Sequence, residues 1–258
     1  MPGPLQGQQT LMDRTRRQYR WAVGSLQASL TGDARIRRLA SAVERAPTAE
    51  ERGWIDRIES LRTAVERRTD VVPERTRAPF AVGEIARRAS QSPESAARLL
   101  RLVRAARPRL GVELGTCVGI SAAYQAAGMA IEGGGTLVTL EGYRTLCDVS
   151  RANLTALGLA EVVEVRRGRF HKTLPKVVRA SPDWAFIDGN HTEDGTWAYF
   201  ETFCGSAEEV VLVFDDIAWS PGMERAWSRI RSDPRTRWAH AVDRLGICVV
   251  GPPLLDDA

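Results

Sequence analysis

Hydrophobic residues recur at steps of three and four through residues 12–70, which is the spacing of one face of an α-helix. The clearest example is the run Trp54, Ile55, Ile58, Leu61 and Val65. Thr31-Gly32-Asp33 predicts a break between the first two helices. Thr48-Ala-Glu-Glu51 has the form of a capping box and predicts the start of a third helix.

Two proline-containing stretches follow this helical region. Val71 to Phe80 contains two prolines, which predicts a connector between elements. Ser92-Pro93-Glu94 combines a capping serine, a proline at the first helical position and an acid in the first turn. This combination predicts a helix that runs to about Ala106.

From residue 110 onward, short apolar runs alternate with helix-length segments. The runs predict strands at 110–114, 136–140, 162–166, 184–187 and 209–214. The segments between them predict helices at 119–131, 144–157, 172–180 and 193–204. A further helix at 221–231 precedes apolar runs at 238–242 and 246–250, close enough to form an antiparallel hairpin. The alternation predicts an α/β fold with a doubly wound, mostly parallel, seven-stranded sheet and an N-terminal helical extension.

Composition places this fold among globular proteins of the cytoplasm. The 258 residues suffice for one large domain, or for one domain with a sizeable extension. No apolar run approaches the roughly 18–20 residues that span a bilayer, and the N-terminus lacks the apolar segment of a secretory signal. The four cysteines are widely spaced, so we expect lone thiols in a reducing compartment, with neither disulfides nor a zinc site.

The charge is unevenly distributed along the chain. The formal net charge is +4, and residues 1–110 carry 22 arginines against 12 acidic residues. A basic half can bind nucleic acid. Here the arginines alternate with acids at helical spacing, as in Glu59-Ser-Leu-Arg62, which favours solvated helix faces.

A glycine-rich turn follows the first predicted strand, in the segment GVELGTCVGIS. Gly115 and Gly119 are separated by three residues, which is not the G-x-G-x-x-G spacing of dinucleotide folds. Such a turn lets the backbone approach a ligand, and the next helix offers free N–H donors. Glu141 ends the second strand, where an acid can accept both hydroxyls of a ribose.

The fourth predicted strand ends in FIDGNH, with Asp188 followed three residues later by His191. Polar residues at this position either meet water where the strand reaches the surface, or perform chemistry at the carboxyl end of a parallel sheet. The fifth strand ends in VLVFDDI, with Asp215 and Asp216 at its tip.

Four motifs in this order resemble the class I S-adenosylmethionine-dependent methyltransferases, in particular the catechol O-methyltransferase-like and bacterial natural-product O-methyltransferases. The resemblance covers roughly residues 85–250. It rests on SPESAARLLRLV, ELGTCVGIS, FIDGNHTEDGTWAYFE and VLVFDDI.

The resemblance implies a role for each motif. It places S-adenosyl-L-methionine against Glu113, Gly115, Gly119, Ser121, Glu141, Gly168, Phe170 and Asp188. It implies Mg²⁺ or another divalent cation at Asp188, Asp215 and Asp216, and a general base at His191. Converging carboxylates repel one another unless a cation neutralises them, and an imidazole with a pKa near 6.5 can take a proton near neutrality.

The chain departs from the family pattern at two positions. Asp216 replaces the asparagine that catechol-type enzymes often have, which makes it a weaker or indirect ligand. Arg169 lies where the family commonly has an acceptor for the adenine amino group, and a guanidinium cannot accept a hydrogen bond. Three alternatives stay open: metal-free capping of the strand tips, a helix-capping role for His191, and a core role for Phe170.

We therefore expect a helical lid at residues 1–80 and an S-adenosylmethionine-binding domain at 81–258. The expected function is metal-assisted O-methylation of a small molecule, with no membrane partner and with any homodimer formed through the N-terminal helices. An RNA methyltransferase and a metal-binding protein of the same fold are the alternatives. Four side chains could line the acceptor pocket or belong to the core: Trp197, Tyr199, Trp219 and Met223.

Overall fold

The protein has a central seven-stranded sheet with helices on both faces. The computed structural model describes residues 32–74 and 80–252. The strand order is β3-β2-β1-β4-β5-β7-β6, in which β7 is antiparallel to both of its neighbours and the other pairs are parallel. The strands are β1 (Leu110–Leu114), β2 (Thr136–Glu141), β3 (Val163–Arg167), β4 (Trp184–Ile187), β5 (Val210–Phe214), β6 (Thr236–Val242) and β7 (Leu245–Val250). The predicted α/β class and the mostly parallel sheet are confirmed.

The helices of the described residues follow the predicted alternation from residue 93 onward. The first four precede the sheet and are α1 (Ala34–Glu44), α2 (Ala49–Val65), α3 (Val82–Ala89) and α4 (Pro93–Ala106). The others are α5 (Ile120–Ile131), α6 (Arg144–Ala156), α7 (Phe170–Val177, followed by a 3₁₀ turn), α8 (Glu193–Cys204) and α9 (Pro221–Arg231). The first predicted helix, within residues 12–31, and connector residues 75–79 lie outside the described residues.

The helix starts predicted from the capping residues Thr48 and Ser92 are confirmed. Asp33, which belongs to a predicted break, caps α1 by accepting from the N–H groups of Arg35 and Ile36. Thr48 and Glu51 form a reciprocal capping box at α2, and the Ser92 side chain caps α4 ahead of Pro93. Each side-chain oxygen satisfies an N–H group that has no partner within its own helix.

Helix α3 is absent from the sequence prediction. It has no side-chain cap and is eight residues long, so it lacks both a start signal and a long periodic pattern. Its second residue, Gly83, lies against the end of α2, where an added Cβ would be 2.4 Å from the carbonyl oxygen of Glu66. Gly83 therefore allows α3 to pack closely against the end of α2, and it was a sequence clue to this helix.

Two hydrophobic clusters occupy the two faces of the sheet. Successive β4 residues alternate between them, with Trp184 and Phe186 on one face and Ala185 and Ile187 on the other. Helices α1 and α2 pack into the same cluster as α4 and α5, through residues such as Leu39. Residues 34–65 therefore share the core of the sheet domain.

Two further expectations concern membrane-spanning helices and the cysteines. No helix among residues 32–74 and 80–252 is long and apolar enough to cross a membrane. The four cysteines are free, with Cys147 and Cys248 buried and Cys117 and Cys204 partly buried.

Candidate active site

The turn between β1 and α5 requires its two glycines. Gly115 has φ +106° and Gly119 has φ +87°, a region that L-residues with side chains rarely adopt. A Cβ on Gly115 would lie 2.2 Å from the carbonyl oxygen of Asp188. The glycine therefore lets the β1 turn lie directly against the end of β4, so that two predicted motifs meet.

Glu113 supports this turn from beneath. Its side chain is fully buried, and it accepts hydrogen bonds from Gln125 Nε2 at 2.7 Å and from Thr139 Oγ1 at 2.5 Å. Gln125 in turn accepts from the indole N–H of Trp184 at 2.8 Å. Burial raises the pKa of Glu113 to about 7, and the charge of Asp188 adds to the rise. In this position Glu113 holds β1, β2 and α5 together below the glycine turn.

Glu141 connects the tip of β2 to the glycine turn. One carboxylate oxygen accepts from the backbone N–H of Cys117 at 3.0 Å, and the other accepts from that of Tyr143 at 2.9 Å. The side chain is thus held at the carboxyl edge of the sheet, where the sequence predicts a ribose-binding acid. Carboxylate oxygens have two lone pairs each, so further donors can still bind.

A small cavity lies over the turn, at the N-terminal end of α5. It is lined by Ala89, Ser90, Gln91, Gly115, Thr116, Cys117, Val118, Ile120, Ser121 and Asp188. Gly119, the N-cap of α5, supplies no side-chain hydrogen bond, so the first N–H groups of this helix depend on other partners. The predicted residues Gly115, Ser121 and Asp188 therefore meet at one cavity that has backbone donors.

Gln91 is a cavity residue that the sequence prediction missed. Its side chain is 2% exposed, and neither its amide nitrogen nor its amide oxygen has a hydrogen-bond partner. The amide lies near enough to Asp215 to lower the pKa of that carboxyl group, although the approach is not a hydrogen bond of ordinary geometry. A buried amide without partners costs free energy, which a bound ligand would recover. In the sequence, the feature that could have drawn attention to Gln91 is its position just before the Ser92 cap.

Phe170 lies at the same edge of the sheet, on the side of β3. It begins α7, and its ring meets that of Tyr199 edge to face, with 6.3 Å between centroids. A Cβ on Gly189 would lie 2.7 Å from the Phe170 ring, so the ring packs against the chain just after Asp188. Gly168, two residues earlier, donates its N–H to the carbonyl oxygen of Glu141 at 2.8 Å.

His191 and three aspartates meet where β4 and β5 end. Asn190 has φ +54°, and this left-handed residue turns the chain so that His191 faces back over the strand tips. Nε2 of His191 lies 3.5 Å from Oδ1 of Asp188 and 4.0 Å from Oδ2 of Asp216. Asp215 is fully buried beside them. The structure therefore brings together the four residues that the sequence assigns to the catalytic centre.

Arg244 also belongs to this cluster and was missed by the sequence prediction. Its Nε donates to Oδ1 of Asp215 at 2.7 Å, and its Nη2 lies 2.7 Å from Oδ1 of Asp216. No group of three or more histidine, cysteine, aspartate or glutamate side chains in the described part of the chain has an arrangement that could hold a metal ion. The carboxylate set is chemically suited to Mg²⁺, but with a guanidinium bound to two of its members the arrangement does not fit a divalent ion.

The cluster changes the proton affinity of its members. Burial, followed by the charge of Asp188, raises the pKa of Asp215 to about 6, although Arg244 opposes the rise. Burial and the charge of Asp215 raise the pKa of Asp216 as well. The Asp188 carboxylate raises the pKa of His191, with burial opposing it and the other two aspartates adding to it. The imidazole therefore binds its proton more tightly than a solvated histidine does.

Of the four suggested acceptor-pocket residues, two belong to the packing between α8 and α9. Trp197 stacks under the guanidinium of Arg229 at 3.4 Å, and Met223 is buried against Thr196. Trp219, just beyond Asp216, is 71% exposed. Its position beside the cluster leaves it available to an acceptor.

Residues 112–217 match the family described as Methyltransferase domain. The match covers the part of the sheet from β1 to β5. The seven-stranded sheet, with its antiparallel β7, has the class I methyltransferase fold. The matched residues run from β1 to just beyond β5, so they contain the glycine turn, Glu141, His191 and all three aspartates.

Several solved structures share this fold. An O-methyltransferase from Bacillus cereus in complex with SAH is 22% identical, with a TM-score of 0.58, covering 83% of this chain and 96% of that one. The SAH-bound methyltransferase PaMTH1 of Podospora anserina is 19% identical, with a TM-score of 0.55 and coverages of 81% and 98%. TomG of Streptomyces achromogenes, an O-methyltransferase of tomaymycin synthesis in complex with SAM, is 18% identical, with a TM-score of 0.56 and coverages of 82% and 93%. A comparison with curated protein sequences found no match.

Proposed function

We propose that the domain transfers a methyl group from S-adenosylmethionine to a hydroxyl group of a small molecule. One observation carries the proposal: Asp188 lines the cavity over the glycine turn and also pairs with His191. The cofactor cavity and the candidate base are therefore adjacent at the carboxyl end of β4. Ligands of open α/β sheets bind at this edge.

The residues around the cavity match the parts of the cofactor. The helix N-terminus at Gly119 and the Gln91 amide face the cavity with unused hydrogen-bonding capacity, which suits the amino-acid end of S-adenosylmethionine. Glu141 is positioned to accept from ribose hydroxyls, and Phe170 lies on the adenine side near β3. The S-adenosylhomocysteine and S-adenosylmethionine in the structural neighbours support this choice of cofactor.

S-adenosylmethionine supplies a methyl group on a positively charged sulfur, ready for attack by an oxygen nucleophile. In the proposed reaction His191 Nε2 takes the proton of the acceptor hydroxyl while its oxygen bonds to the methyl carbon. The bond between sulfur and that carbon breaks, and S-adenosylhomocysteine is released. His191 can act only when Nε2 is unprotonated, so its raised pKa places the active form at higher pH.

The sequence also predicts assistance by Mg²⁺. Because Arg244 binds Asp215 and Asp216, the proposed steps use only groups of the chain and the cofactor. The aspartates then orient His191 and set its proton affinity. Metal dependence can be measured directly by assay after chelation.

A small hydroxylated natural product, a sugar or a phenol is the acceptor class we propose. The tomaymycin-pathway neighbour supports a natural-product acceptor. Labelled S-adenosylmethionine should transfer its methyl group to members of a panel of catechols, phenols and sugars, detected by mass spectrometry, and His191→Ala should abolish most of this transfer. Label in RNA, with binding that weakens steeply as salt rises, would replace this proposal with the nucleic-acid alternative.

A further inference from the structure

Arg244 is fixed in place by its backbone as well as by its side chain. It lies in the two-residue turn between β6 and β7, and its carbonyl oxygen accepts from the N–H of Ile217 at 3.1 Å. The preceding residue, Asp243, has φ +50° and pairs with Arg98 of α4 at 2.5 Å. The contacts of Ile217 with Arg244 and of Arg98 with Asp243 thus hold the β6–β7 turn in place, so that the Arg244 guanidinium lies against the tip of β5.

One planar guanidinium bridges two consecutive carboxylates. Nε and Nη2 each lie 2.7 Å from an Oδ1 atom, one of Asp215 and one of Asp216. The fixed spacing of the guanidinium donors lets a single arginine bind one oxygen of each carboxylate. Asp216 has φ +56°, a strained value for an aspartate, and the bridge helps to hold its side chain beside that of Asp215.

Arg244 already offsets part of the negative charge of the cluster without an added ion. Asp188, Asp215 and Asp216 can carry three negative charges, and the Arg244 guanidinium supplies one positive charge at Asp215 and Asp216. A divalent cation would bring two positive charges into the same space. It would have to share Asp215 and Asp216 with Arg244, which already binds one oxygen of each, and it would lie close to a guanidinium that repels it.

We propose that Arg244 is the resident cation of this cluster and performs the positioning and neutralising role that a divalent ion would otherwise have. Divalent cations accordingly bind the protein weakly, and methyl transfer does not need them. The inference rests on the proposed function for its catalytic meaning. Its structural content, that Arg244 competes with a divalent ion for the aspartates, can be tested without any acceptor substrate.

The test is a titration of metal-free protein with Mn²⁺, followed by electron paramagnetic resonance of the free ion. Wild type, Arg244→Gln and Arg244→Lys are compared, with Arg225→Gln as the control because Arg225 forms an exposed ion pair with Glu193 away from the cluster. Arg244→Gln should bind Mn²⁺ at least about tenfold more tightly than wild type, which corresponds to about 1.4 kcal/mol. It should also melt at a lower temperature in EDTA and recover when Mn²⁺ is added.

Arg244→Lys keeps a positive charge and should stay near wild type in Mn²⁺ affinity, as should Arg225→Gln. Micromolar binding of Mn²⁺ by wild type would overturn the proposal, and so would an unchanged or weaker affinity in Arg244→Gln. If Arg244→Gln does not fold, the wild-type titration and Arg244→Lys still decide the matter. Binding of S-adenosylhomocysteine, measured in parallel, tests the proposed function separately.

Discussion

At the scale of single residues, His191 carries the proposed chemistry. His191→Ala should lower turnover by about 10²–10⁴, the usual effect of removing a positioned proton acceptor. The logarithm of kcat in wild type should rise with pH and level off above the His191 pKa. Because Asp188 raises that pKa, the rise should extend to the alkaline side of an ordinary histidine. Turnover against pH measures both effects.

The control for this experiment is His171→Ala, which removes an exposed histidine outside the cluster and should keep the wild-type rise of kcat with pH. In His191→Ala this rise should disappear, leaving a residual rate that increases with hydroxide concentration. Equal turnover of His191→Ala and wild type at neutral pH would reduce His191 to a structural residue. The base would then have to be found elsewhere.

At the scale of elements, Glu113 should make the stability of the packing between β1, β2 and α5 depend on pH. Its pKa is raised from 4.5 to about 7, so between these values the folded protein binds more protons than the unfolded chain. Stability contributed by this group therefore falls as pH rises through that window. Glu113→Gln mimics the protonated acid. Its melting temperature should therefore fall less than that of wild type as the pH rises from 5 to 8.

Melting temperatures at a series of pH values check this expectation, with Glu50→Gln, on an exposed face of α2, as the control. The two variants should differ: Glu50→Gln should follow the wild-type pH dependence, while Glu113→Gln should have a flatter curve. A wild-type slope in Glu113→Gln would show that the buried carboxyl group does not titrate in this range.

The elements also show which parts of the fold sequence patterns can predict. Strands β1 and β4 and helices α8 and α9 lie at the predicted residues, because each has a strong apolar run or a capping residue. Helix α7 begins two residues earlier than predicted, at Phe170, with no side-chain cap to mark its start. Helix α3 was missed because its packing depends on contact with α2, which a local pattern does not contain.

At the scale of the whole molecule, the site could be predicted only where its residues lie in contiguous motifs. Parallel strands bring Gly115, Glu141, Asp188 and Asp215 to one edge, and their order along the chain was enough to predict this. Gln91 and Arg244 reach the site from a loop before α4 and from the β6–β7 turn. Their roles depend on long-range packing, which left no local motif.

The N-terminal helices show the same limit. Residues 1–80 were predicted to form a lid, and this remains a prediction. In the described part, α2 reaches the site through Arg62, whose Nη1 donates to the carbonyl oxygen of Gln91 at 2.8 Å. Helices α1 and α2 therefore support the cavity wall through the shared core, whatever further part residues 1–31 play.

The central claim is that this edge of the sheet binds S-adenosylmethionine, and a calorimetric titration with S-adenosylhomocysteine tests it most directly. Wild type should bind in the micromolar range, and Glu141→Ala should lose at least about tenfold in affinity, or about 1.4 kcal/mol. Glu164→Ala removes an exposed acid of β3 and should bind like wild type. Melting curves would verify that each variant is folded, since Glu141 also binds the N–H of Cys117. No binding by wild type would contradict the account, and equal binding by Glu141→Ala would remove Glu141 from the site.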